Sequence, residues 1–214
     1  MAFRGKFSRT NSIVWLAAAL SVALAFAAVV LAADDKSAFR AKAASEYPHR
    51  QTSEGITIAA QPFETDDETK EAFGKINPWR YGALPVLLVV RNDGKDTINL
   101  ERMLPVYQLP DGQHVEATPA GEVKYIHGAG RPSGVPKPLG GIGVSRAPKN
   151  PLAEWEIEGR SFSAKVLPAG QAASGFVYFQ VPQTSAAATV QITGIRNAAT
   201  GKDLFYFEIP LSGN

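Results

Sequence analysis

Apolar residues along this chain recur mostly at every second position, in short runs separated by glycine, proline and asparagine, which is the mark of β-strands joined by turns. The densest run is LPVLLVVRN, residues 84–92. Its Leu84, Val86, Leu88 and Val90 would share one face of a strand and Leu87 and Val89 the other. Both faces therefore require cover, and the strand is expected at the centre of a sheet. Pro85 fits because it stands at the strand's beginning, where a missing N–H costs little. Asn92-Asp93-Gly94 then supplies a turn, through which residues 97–102, with Ile98 and Leu100 alternating, are expected to pair back.

The same alternation predicts a first strand over 55–62 and a hairpin of 104–109 with 113–117 around Pro110-Asp111-Gly112. Later sets are Phe162, Ala164 and Val166, then Val177, Phe179 and Val181, then Val190 and Ile192, and finally Phe205, Phe207 and Ile209. Short strands of this kind with turns between them argue for an antiparallel sandwich. Three helical insertions break the pattern. Thr65 and Glu68 stand at capping-box spacing and Gly74 stops the run, predicting a helix over 66–73. Thr118-Pro119 opens a second over 119–127, and Asn150-Pro151 with Gly159 brackets a third over 151–158. Phe73, Leu152 and Trp155 are the apolar residues available to cover the outer face of the central strand, so replacing Trp155 by alanine is expected to lower the melting temperature.

The N-terminus departs from this pattern. Residues 1–12 are basic and polar, and residues 13–31 form 19 positions without a charge. Two readings stay open: a signal peptide cleaved after the small residues near Val30 and Ala32, or an uncleaved membrane anchor. Either places the remainder outside the cytoplasmic membrane, as a periplasmic, secreted or membrane-anchored protein. Residues 34–55 are charged, alanine-rich and poor in large apolar side chains, and read as a spacer with a helical stretch around 37–46. The sandwich then occupies 56–214, with 119–158 as an insertion.

Composition removes several classes of function. Without cysteine there is no disulfide framework, thiolate nucleophile or cysteine-held metal. The net charge of +2 is misleading, because Arg4, Lys6 and Arg9 precede every acidic residue. Setting those three aside leaves 19 basic residues against 20 acidic ones, and this balance gives no nucleic-acid footprint. His49, His114 and His127 are scattered without metal-ligand spacing, and Ser145 and Ser174 lack the flanking pattern of a nucleophile elbow. No catalytic residue, cofactor or metal ligand is expected.

Two features read as contact surfaces. The glycine- and proline-rich stretch 128–150 carries Arg131, Lys137, Arg146 and Lys149, with Lys124 just before it, and no acidic residue lies between Glu122 and Glu154. Such a one-signed loop suits an acidic partner or an anionic surface. Trp79 and Tyr81 would point the same way if extended and, with Trp155, could form an aromatic platform for a carbohydrate or cell-wall ligand.

At GALPVLLVVRNDGKDTINL and LPAGQAASGFVYFQV the chain resembles exported bacterial immunoglobulin-like modules of unknown function. In these a strand ending in asparagine leads to a glycine turn, and a later aromatic-x-aromatic strand closes the sandwich. The resemblance implies a fold and a cell-envelope setting and brings no catalytic residues. The expectation is thus an all-β, immunoglobulin-like antiparallel β-sandwich with short helical insertions and an N-terminal hydrophobic signal or anchor helix. Its expected role is a non-catalytic structural or interaction module whose partner is an envelope protein or surface, with the membrane reached through residues 13–31.

Overall fold

The computed structural model describes residues 39–126, 150–181, 187–204 and 206–211. These belong to one compact unit that begins at Phe39. The expected signal or anchor helix lies outside the described residues.

The central strand forms where the apolar run predicts it. In chain order the strands are β1 (Arg50–Ser53), β2 (Ile56–Pro62), β3 (Leu84–Asn92), β4 (Ile98–Asn99), β5 (Leu104–Gln108), β6 (His114–Glu116), β7 (Val166–Leu167), β8 (Ala172–Phe179), β9 (Thr189–Thr193), β10 (Arg196–Asn197) and β11 (Phe207–Pro210). Every strand pair is antiparallel. Among the described residues they make three sheets, ordered β1-β2-β3-β8, β10-β4-β7 and β11-β9-β5-β6. Leu84, Val86, Leu88 and Val90 enter an inner core with Tyr107, Val190, Ile192, Phe207 and Ile209 from the third sheet and Ile98 and Leu167 from the small one. Leu87 and Val89, on the other face, join a second core with Phe63, Phe73, Val123, Leu152, Ile157, Phe176 and Tyr178. The burial of both faces of β3 is the consequence its unbroken apolar run demands.

Helix α1 (Asp66–Phe73) carries the expected cap: the Thr65 side chain accepts from Glu68 N–H, Glu68 bonds back to Thr65 N–H, and Gly74 ends the helix at φ 69°. It covers the second core with α2 (Trp155–Gly159) and the 3-10 turns Ala44–Glu46, Ala120–Tyr125 and Pro151–Ala153.

Four expectations are corrected. Residues 34–55 are not all spacer: β1 pairs with β2 through a turn in which Glu54 and Gly55 both take positive φ, 49° and 78°. Upstream of it, Phe39 lies 5.8 Å from the ring of Phe63 and 5.4 Å from that of Phe176. β4 does not pair back on β3, because β2 and β8 already occupy both edges of β3; it joins β7 and β10 instead. The Asn92 side chain makes that detour, donating to the carbonyls of Asp96 and Leu167 while accepting from Gly94 N–H. Phe162 and Ala164 do not extend a ladder with Val166. The chain there crosses β8 at Gly175, where a Cβ would lie 2.4 Å from Phe162 Cα, and Phe162 N–H donates to the Phe176 carbonyl. Finally, α2 buries Ile157 and leaves Trp155 67% exposed, so the cover comes from Phe73, Leu152 and Ile157.

Candidate functional site

Of the predicted contact residues, Lys124 and Trp155 stand on elements of the helical cap over the second core. Asn77 and Pro78 start the turn Pro78–Tyr81: the Asn77 side chain accepts from Trp79 N–H and donates to the Asp66 carboxylate, which also pairs with Arg80. This turn is 3-10, not extended, so residues two apart point to different sides. Trp79 packs against the inner core, whereas Tyr81 is 38% exposed. The expected Trp79 and Tyr81 pair therefore does not share a face.

Trp155 stands outward on α2 with its ring against Gly159, where a Cβ would come within 2.9 Å of it. Tyr125 is equally exposed at the end of the neighbouring turn, and the Lys124 ammonium lies 5.4 Å from its ring centre. The Lys124 carbonyl accepts from the Asn150 side chain at 2.6 Å, and Asn150 in turn accepts from Leu152 N–H. One asparagine thus ties the two chain ends that flank the basic stretch. Arg131, Lys137, Arg146 and Lys149 lie outside the described residues.

Beneath the cap, Tyr178 donates its hydroxyl to the Ile157 carbonyl at 2.7 Å. Burial drives its pKa strongly upward, with the nearby Arg160 charge opposing the shift. It therefore stays a neutral phenol and holds α2 in place. Tyr47 is raised in the same direction, again chiefly by burial. The Arg160 guanidinium stacks over the Phe39 ring at 5.9 Å, and its buried Nε has no hydrogen-bond partner among the described residues.

An open groove of about 460 Å³ runs beside Met103, Leu104, Pro105, Phe162 and Ala164. Its charged residues, Glu101 and Lys165, face each other at 3.8 Å. Among the described residues no group of three or more metal-ligating side chains converges, and no helix is long and apolar enough to cross a membrane.

Phe39 stands within the stretch read as a spacer and carries no pattern of its own, while Phe176 and Tyr178 are the aromatic-x-aromatic pair of the expected closing strand, with no burial role assigned to them there. A signal for the last two was present, since they alternate with Val177 and Phe179 and make β8 apolar on both faces, as β3 is.

No protein-family model matches the chain, and no curated protein matches it. Among solved structures, the X-ray structure of a structural-genomics target, SoR45, is similar to it at 9% identity, with 76% of this chain and 90% of that one covered and a TM-score of 0.30. A likeness at that level carries no argument about fold or function.

Proposed function

We propose that this chain is a non-catalytic interaction module of the bacterial cell envelope, exported through its N-terminal apolar segment and built on an immunoglobulin-like sandwich. Its partner is an acidic envelope protein or surface, and contact is made by the helical cap together with the basic stretch 128–150. The observation that carries this reading is the clamp at the base of that stretch: the Asn150 side chain bonds the Lys124 carbonyl, and the anchored ends stand near exposed Tyr125 and Trp155. Exposed aromatics beside a one-signed charged segment combine an anchor for contact with attraction at longer range.

The test replaces residues 128–149 with a glycine-serine linker of equal length in the full chain, and separately changes Trp155 to alanine. Both variants should melt like the parent but lose chemical crosslinking to envelope components. Undiminished crosslinking by the linker variant would overturn the reading. The mass and N-terminus of the native protein in soluble and membrane fractions test export: a chain starting near Ala33 indicates cleavage, an intact one in the membrane fraction an anchor, and an intact one in the cytosol would refute export.

A further inference from the structure

One face of β8 is filled in two different ways along its length. Ala172, Ser174, Phe176 and Tyr178 lie on the same face, opposite Arg91, Val89, Leu87 and Pro85 of β3. Phe176 and Tyr178 fill the space under the helical cap. Ala172 and Ser174 are too small to do so, and over them remains a pocket of about 320 Å³, bounded by residues 41–45 and floored by Thr57, Val89 and Arg91.

The backbone of β8 is divided at the same place. Asn92 N–H donates to the Gln171 carbonyl and the Asn92 carbonyl accepts from Gly170 N–H, while Gln171 N–H turns to the Pro168 carbonyl, so the ladder begins with the Gln171 carbonyl pointing at β3. Antiparallel alternation then turns the N–H and C=O groups of residues 172, 174, 176 and 178 away from β3, toward the outer edge of the sheet. Phe176 meets the Arg160 carbonyl and Phe162 N–H there, and the Tyr178 carbonyl accepts from Thr118 N–H. Ala172 and Ser174 have no backbone partner on that edge among the described residues, and both are exposed. Among the described residues the sheet edge is therefore unpaired over the same length as the pocket.

We infer that this half of β8 receives an extended peptide from a partner protein, which adds as a strand to Ala172–Ser174 and places an acidic side chain in the pocket. An added strand saturates the unpaired edge groups, and its alternate side chains fall on the pocket face. The acidic preference follows from the charges present. Lys42, Arg91 and Asp93 line the pocket. Arg91 Nε is bonded to Asp93 at 2.7 Å, which leaves the exposed Lys42 ammonium as the excess charge. This surface shares the turn Ala44–Glu46 with the cover of the second core but includes none of Lys124, Tyr125, Asn150 or Trp155, and it is independent of the role proposed for the basic stretch.

The probe is a capped hexapeptide of alternating valine and threonine with one central glutamate, titrated into the full chain, with amide exchange read by residue. Binding should slow exchange at Ala172 and Ser174 at least roughly tenfold, and replacing the peptide's glutamate by lysine should weaken binding roughly three- to fivefold, as should Lys42→Glu. Ser174→Pro removes an outward N–H that the β3 ladder does not use, so it should leave the melting temperature near the parent's and weaken binding about tenfold or more. Ser174→Phe, which fills the pocket without touching the backbone, gives the same answer if the proline variant fails to fold. Equal binding by both variants, or binding without protection at Ala172 and Ser174, would overturn the inference. Equal affinity for the lysine peptide would overturn the acidic assignment.

Discussion

Two side chains in this molecule are set by what lies around them more than by their own chemistry. Asn92 is fully buried and makes three hydrogen bonds, so a residue type that prefers turns is used as the joint between the main sheet and the small one. Tyr178 is held as a phenol by burial, and its raised pKa links stability to alkaline pH. Below the ordinary phenol value of 10.0 both folded and unfolded chains keep the proton. Above it the unfolded chain ionises first and binds fewer protons, so stability falls as pH rises. Tyr47 adds to the same trend. Thermal melts should therefore decline from about pH 10 upward, and Tyr178→Phe should flatten that decline while costing about 1 kcal/mol at neutral pH through the bond lost to the Ile157 carbonyl. A parent profile without any alkaline decline would contradict the assignment.

At the scale of elements, α2 separates two jobs between neighbouring residues. Ile157 is buried in the second core, whereas Trp155 faces solvent. Ile157→Ala should cost about 2–4 kcal/mol, enough to lower the melting temperature by roughly 5–10 °C, and Trp155→Ala should stay within about 0.5 kcal/mol of the parent. A calorimetric comparison of the two checks this, and an equal loss from Trp155→Ala would mean that its ring packs inward. Strand β3 shows how a local oddity is absorbed. Pro85 lies where β3 turns its outer groups toward β2, and the ladder ends there with Phe63 N–H donating to the Pro85 carbonyl, so the absent N–H leaves no gap inside the sheet.

At the scale of the whole unit, the main sheet is covered on both faces, by the third sheet on one side and by helices and turns on the other. The segment from Phe39 to Tyr47 belongs to that second cover, with Ala44 buried and Phe39 wedged between Phe63 and Phe176. Compared with a chain starting at Phe39, one starting at Pro48 should melt roughly 10 °C lower or more, because Phe63, Phe176 and Val89 lose part of their cover. Equal melting of the two would show that the segment contributes nothing to the core.

Much of the fold was legible in the sequence because its determinants are local. The run 84–92, the Thr65 and Glu68 capping box, and the hairpin around Pro110-Asp111-Gly112 each specify geometry within a few residues, and each forms as expected. Pairing was not legible. Period-two alternation states which face of a strand is apolar but not which edge it will find occupied, so the turn after Asn92 could not reveal that β2 and β8 had already claimed β3. Residues 34–55 misled for a related reason: a short polar strand and a few aromatics acquire their role only from the surfaces they cover. The aromatic platform failed on backbone conformation, since Pro78–Tyr81 winds into a 3-10 turn that sends Trp79 to the core and Tyr81 outward. By itself, then, the sequence determined that the chain is mainly antiparallel β with a buried central strand, because alternation and turn chemistry act between neighbours. Only the tertiary structure decided which strands meet, which aromatics remain exposed, and where, among the described residues, a sheet edge stays unpaired beside a pocket, because those depend on contacts between residues far apart in the chain.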